Sequence, residues 1–166
     1  MSTVNTYCSL FVLLAAAIDD VMTRKVHNVL LGCLAVISII VIFYFNGSFG
    51  LQQSAMGMLA GFMLYLPLAW LGVVGGGDLK LLSVVGITAG VSATVTIGLI
   101  ALVWGAILGL FQVTLNGGLK DVWLNIVSLT KFKSPVPAKL HKIPFAAAIL
   151  LGGLTEWTMN HFGGGL

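Results

Sequence analysis

Long apolar runs, separated by short polar clusters, fill nearly the whole of the 166-residue chain. The hydrocarbon core of a bilayer is about 30 Å thick, so a crossing helix needs about 20 mainly apolar residues. Stretches that meet or approach this length cover about 4–19, 29–45, 53–74, 79–90, 93–115 and 143–162. The apolar stretch 79–115 holds 37 residues, too many for one crossing, and a turn near Thr88 to Ser92 divides it into a short helix and a fuller one. The pattern therefore predicts an all-α, polytopic membrane protein with six transmembrane helices, in a single domain over 1–166. The one long polar stretch, 116–142, includes 121–132, where Val122, Trp123, Ile126, Val127 and Leu129 share a broad helical face suited to lying in the membrane interface.

Composition sharpens this picture. Of the residues, 58% are hydrophobic and only 8% charged, with a mean hydropathy of +1.07, whereas a soluble domain carries about 25% charged residues. No stretch is left for a separate soluble domain. Eight Lys and Arg against five Asp and Glu give a net charge of +3, which here reads as topology and not as a nucleic-acid surface. With the amino terminus outside, the inner connections 20–28, 75–80 and 116–142 contain Arg24, Lys25, Lys80, Lys120, Lys131, Lys133, Lys139 and Lys142, which are all eight cations. The outer connections 46–52 and 90–92 contain none, as the enrichment of Lys and Arg in cytoplasmic loops predicts. The first apolar run, Tyr7 to Ile18, has no Lys or Arg before it and reads as a retained helix, not a secretory signal. Cys8 and Cys33 lie in apolar segments without CxxC spacing, so neither a disulfide framework nor a zinc site is indicated.

Carboxylates near hydrocarbon are costly and mostly functional. The acids are Asp19, Asp20, Asp78, Asp121 and Glu156. Asp19 and Asp20 close the first predicted helix on the inner side, and Asp78 follows Gly75, Gly76 and Gly77 at the inner end of the third. Two carboxylates 58 positions apart thus arrive at one membrane depth and face each other if the first and fourth helices are neighbours. An aspartyl peptidase needs such a pair, because like charges a few Å apart share one proton instead of both ionising. The ionised member takes a proton from the attacking water while the protonated member donates to the scissile carbonyl. Three consecutive glycines are expected to release the backbone from helix and let an extended substrate lie against the main chain beside Asp78. In lipid, such irregular backbone survives only when buried in protein or lining a wet cavity.

Other readings of these residues stand beside this one. Asp19 and Asp20 fit solvated juxtamembrane positions, and Asp78 fits a helix cap favoured by orphan amides and the dipole. A transporter or pilus-assembly subunit would use membrane carboxylates for protons or partner helices, although those here sit at one membrane end and not at the midplane. Lys80 fits either the ionised pair or the interface, to which lysines snorkel. His27 and His141 belong to no His, Cys and carboxylate constellation of a metal site. Glu156 reads as a hydrogen-bonding residue inside the bundle, and no GxSxG motif supports a serine nucleophile.

Asp20 followed by basic residues and then Asn28 resembles the first active-site motif of prepilin peptidases. Gly75-Gly76-Gly77-Asp78-Leu79-Lys80 resembles their GxGD signature, and Lys142-Ile143-Pro144-Phe145-Ala146 their entry to the last helix. The chain is most similar to the small tight-adherence kind (TadV or CpaA) that serves Flp-like type IV pili. The resemblance implies a six-helix enzyme of the bacterial inner membrane that cleaves the short basic leader of a prepilin at the cytoplasmic face, with Asp20 and Asp78 catalytic and Asp19 a neighbour. It implies Gly75, Gly76, Gly77 and Lys80 as substrate-binding residues. The partners expected are the prepilin, through its leader and the start of its hydrophobic helix, and the lipid bilayer, with no metal, cofactor or nucleic acid. The family commonly has Pro before the Asn where this chain has His27, which leaves the start of the second helix less constrained. Larger members carry a cytosolic insert with paired CxxC motifs, which this sequence lacks, so methyl transfer is not expected.

Overall fold

A computed structural model describes residues 3–23, 27–115 and 145–162. These residues form four helical elements: α1 Thr3–Thr23, α2 Asn28–Trp70, α3 Gly76–Leu115 and α4 Phe145–Phe162. The architecture is all-α, and α1, α2 and α3 are long and apolar enough to cross a membrane. The expected interfacial helix at 121–132, and every cation except Lys80, lie outside the described residues.

At 1.5 Å per residue, the 43 residues of α2 and the 40 of α3 would each be about twice the hydrocarbon thickness if straight. Neither is straight. Gly47 (φ 62°, ψ −153°) and Gly90 (φ 75°, ψ 174°) take backbone angles essentially closed to residues with a Cβ, and there the helical path breaks. The contacts across each break show reversal. Gly50 lies against Ile42, which eight helical residues would separate by about 12 Å. Gly61 lies against both Leu82 and Thr94, so the two halves of α3 run side by side. The expected outer connections 46–52 and 90–92 are therefore each a tight turn about a single glycine, and four elements supply six rods.

A stripe of small residues explains how close these rods come. Gly50, Ser54, Gly57 and Gly61 recur on one face of α2 and are all buried. A Cβ at Gly57 would sit 2.1 Å from the Gly86 carbonyl oxygen, and one at Gly86 would sit 2.2 Å from that of Gly57. Main chains therefore touch main chains, as small-xxx-small faces allow in membrane helices. Ser54 Oγ donates to the Ile87 carbonyl at 2.7 Å in the same seam.

The second half of α3 packs along α4, where Gly152 meets Ile97 and Ala101, and α1 packs on α4, where Gly153 meets Leu13. Every residue from Leu81 to Ala89 is buried, so the first half of α3 is the axis of the bundle. Its shortness and unbroken apolarity follow from that position, since a helix surrounded on all sides has no polar face.

Three boundaries differ from the expected ones. The first helix runs on to Thr23, so Asp19 and Asp20, expected to close it, lie within its last turns with three helical residues still to follow. The second long helix stops at Trp70, where Gly72 N–H bonds the Ala69 carbonyl (3.1 Å) and Val73 N–H that of Leu68 (2.9 Å), a paired closure of the last turn. The triple glycine is only partly released from helix, because α3 begins at Gly76 and takes Gly77 and Asp78 into its first turn.

Gly57→Leu is expected to destabilise the fold by about 1–3 kcal/mol, the usual cost of overpacking, because backbone and not a flexible side chain stands in its way. Gly32→Ala, whose Cβ would meet nothing within 4 Å, is expected to be near neutral. Reversible unfolding of the two variants in mixed micelles measures the difference.

Candidate active site

One end of the bundle gathers the end of α1, the starts of α2, α3 and α4, and the turn before α3. Asp20, in the last turns of α1, is buried at 7% exposure. Its Oδ2 accepts the N–H of Ala146 at 3.2 Å. That amide belongs to the first turn of α4, one of the four that a helix start leaves without an internal partner. Asp20 thus caps a helix 126 residues away in sequence, and the positive end of that helix dipole lies beside its carboxylate.

Asp78 is half-buried in the first turn of α3. Its Oδ2 accepts the Gly75 N–H at 3.2 Å, while the Gly75 carbonyl accepts the N–H groups of Asp78 (3.1 Å) and Leu79 (3.2 Å). A side chain reaching back to the amide three residues earlier is half of a capping box. A Cβ at position 75 would lie 2.9 Å from that Oδ2, so glycine there leaves the carboxylate room to fold back. Cβ atoms at Gly76 or Gly77 would meet nothing, which leaves open space along the main chain next to Asp78.

The cap expected for Asp78 as an ordinary structural residue is real, yet it does not exhaust the residue's surroundings. Asp78 and Asp20 interact electrostatically, and Asp78 interacts in the same way with Tyr65. The first and third elements therefore carry the two carboxylates to the same end of the bundle, within electrostatic range of each other. Asp19 turns away: its carboxylate accepts the His27 N–H at 2.9 Å, and the His27 Nδ1 lies 3.1 Å from both its oxygens. His27 keeps φ at −70°, an angle proline also adopts, but its N–H is engaged. The start of α2 is held by this contact, contrary to the looser start expected without proline. Lys80 Nζ donates to Asn28 Oδ1 at 2.9 Å, and no bond from it to either acid is found among the described residues.

Sequence reasoning missed Tyr65. It is completely buried, its hydroxyl donates to the Gly98 carbonyl at 3.0 Å, and its ring meets that of Phe145 edge-to-face at 6.3 Å. Phe145 precedes the amide that holds Asp20, so Tyr65 is linked to the Asp20 side of the site through Phe145 and to Asp78 electrostatically. The only signal in the sequence is an aromatic hydroxyl within an apolar run, where a buried tyrosine needs a partner.

Glu156 accepts a hydrogen bond from Asn160 within α4, as a bundle-interior residue would, and stands apart from the pair. A cavity of about 230 Å³ lined by Asn5, Asn46, Gln53, Ser54 and Thr88 lies at the opposite end. Among the described residues no group of three His, Cys, Asp or Glu side chains could hold a metal ion.

A family model described as the type IV leader peptidase family matches residues 7–110, a span that includes Asp20 and Asp78. The chain belongs to the type IV leader peptidase family. It is accordingly a hydrolase of the aspartic-protease type, a prepilin peptidase, and an integral membrane protein. Searches of curated proteins and of solved structures returned no match.

Tyr65→Phe is expected to lose about 0.5–1.5 kcal/mol of stability, the net worth of one hydrogen bond, and Tyr65→Ala about 3–5 kcal/mol through the cavity left behind. Denaturant unfolding of both variants in the same micelles gives the comparison.

Proposed function

We propose that this peptidase removes the short basic leader of a type IV (Flp-like) prepilin at the cytoplasmic face of the bacterial inner membrane, with Asp20 and Asp78 as its catalytic pair. The observation that carries the reading is that these carboxylates, from α1 and α3, stand at one end of a helical bundle, Asp20 on the Ala146 N–H and Asp78 on the Gly75 N–H. Six rods that alternate in direction fit six membrane crossings. In that arrangement the loops at the acid-bearing end hold all eight cations, which orients the end toward the cytoplasm.

The chemistry follows from one proton shared by two acids. One carboxylate removes a proton from water as its oxygen attacks the scissile carbonyl, and the other, protonated, donates to the carbonyl oxygen. A tetrahedral diol forms. Its collapse breaks the C–N bond, the leaving amine takes a proton, and the shared proton returns to the pair. Neither metal nor organic cofactor is called upon. The substrate main chain runs through the open space along Gly75, Gly76 and Gly77, and the start of the prepilin's hydrophobic helix lies in the bilayer beside the bundle.

Asp20→Asn and Asp78→Asn are each expected to lower leader cleavage by at least about 10³-fold, since a general acid or base contributes about 10²–10⁴-fold and neither carboxylate can act alone. Cleavage of a co-expressed prepilin, followed by its mobility shift, reads the effect while membrane fractionation checks insertion. Near-normal cleavage by either variant contradicts the assignment.

A further inference from the structure

At the rim of the site, four polar side chains connect three helices. Asp19, peptide-bonded to Asp20, holds His27 through the backbone N–H at 2.9 Å and through Nδ1 at 3.1 Å from each oxygen. The next residue, Asn28, opens α2, and its Oδ1 accepts from Lys80 Nζ at 2.9 Å. Lys80 stands two residues beyond Asp78 on α3. The links therefore run from the neighbour of one acid to the near neighbour of the other. They cross at α2, the element against which α1 packs least, most of its contacts being with α4 and α3.

We propose that Asp19, His27, Asn28 and Lys80 form a strap that sets the separation of Asp20 and Asp78, and that they are positioning residues for leader cleavage. The proposal rests on the reading of Asp20 and Asp78 as the reacting pair. It gives Asp19 and Lys80 a task different from a spare carboxylate and a substrate contact. Exposed pairs of this kind add little to stability, the median being about 0–1 kcal/mol, so their worth lies in geometry. A displacement of about 1 Å at a reacting centre can cost about 10²-fold in rate. Because the links act in series, breaking either one frees the strap, and breaking both adds nothing.

The test uses the full-length protein in mixed micelles with a purified prepilin. Asp19→Ala and Lys80→Met are each expected to lower kcat roughly tenfold with KM within about twofold, a fraction of the loss from a full 1 Å displacement. Asp19→Asn keeps an acceptor for the His27 N–H and is expected to recover most of the rate. The double variant should fall no further than the weaker single. Losses that multiply, a change confined to KM, or wild-type kcat in both single variants overturn the proposal.

A second readout needs no activity. Spin labels at Val21→Cys, which is exposed, and Gly76→Cys, where a side chain meets open space, report the α1 to α3 distance in a Cys8→Ser, Cys33→Ser background. The dipolar distance distribution should broaden when Asp19→Ala or Lys80→Met is added, and an unchanged distribution contradicts the strap. Failure of the wild type to cleave any leader would strike the reading of the acids instead, leaving the distance result to judge the strap alone.

Discussion

Keeping the carboxylates of Asp20 and Asp78 within electrostatic range of each other, partly out of water, costs free energy twice, through desolvation and through mutual repulsion. The fold offsets this with backbone amides. Asp20 takes the Ala146 N–H from the start of α4, and Asp78 takes the Gly75 N–H from the turn that opens α3. Both donors are groups that helix starts leave unpaired, so each acid satisfies a need of the backbone while the backbone satisfies the acid. The proposed chemistry uses the state in which one shared proton relieves the charge repulsion that remains.

Everything that fixes the two amides also fixes the acids. Ala146 sits at zero exposure at the top of α4, and Phe145 beside it presses on Tyr65, which is tied to Gly98 on the second half of α3. The Gly57 to Gly86 seam locks α2 against the first half of α3, whose start carries Asp78. Since main chains meet main chains there, little slack is available between α2 and α3. Contact between α1 and α2 is lighter, and the polar links from Asp19 to Lys80 lie where apolar packing is thinnest. The site thus combines a rigid wall, α3, with a partner helix, α1, anchored through α4 and at its rim.

Much of this was legible in the residues. Apolar run lengths marked the positions of the six rods, and a tally of five acids singled out two that stand at the same end of the bundle. Other features were not. Whether Gly76 and Gly77 lie in helix or loop depends on Asp78 capping its own first turn, a tertiary choice that glycine propensity opposes. The reversals at 46–52 and 90–92 were foreseen, but that Gly47 and Gly90 are the residues that bend was hidden, because glycines are frequent throughout these segments and only neighbouring contacts select which ones do. Tyr65 and the Ala146 amide escaped notice for a different reason: a backbone N–H has no letter of its own, and a tyrosine in an apolar run resembles filler until its partners are known. Asp19 was separable from Asp20 only by family spacing, while the structure separates them by direction, one toward Ala146 and one toward His27.

The account stands on the meeting of the two acid positions, and crosslinking them tests it most directly. Asp20→Cys combined with Asp78→Cys, in a background with Cys8 and Cys33 replaced by Ser, can be treated in native membranes with a short bifunctional thiol reagent. A link that joins α1 to α3 in high yield is the expected result. Failure to link, with each cysteine alone still reacting with the same reagent, would mean that the two positions do not face each other and would contradict the shared-proton pair.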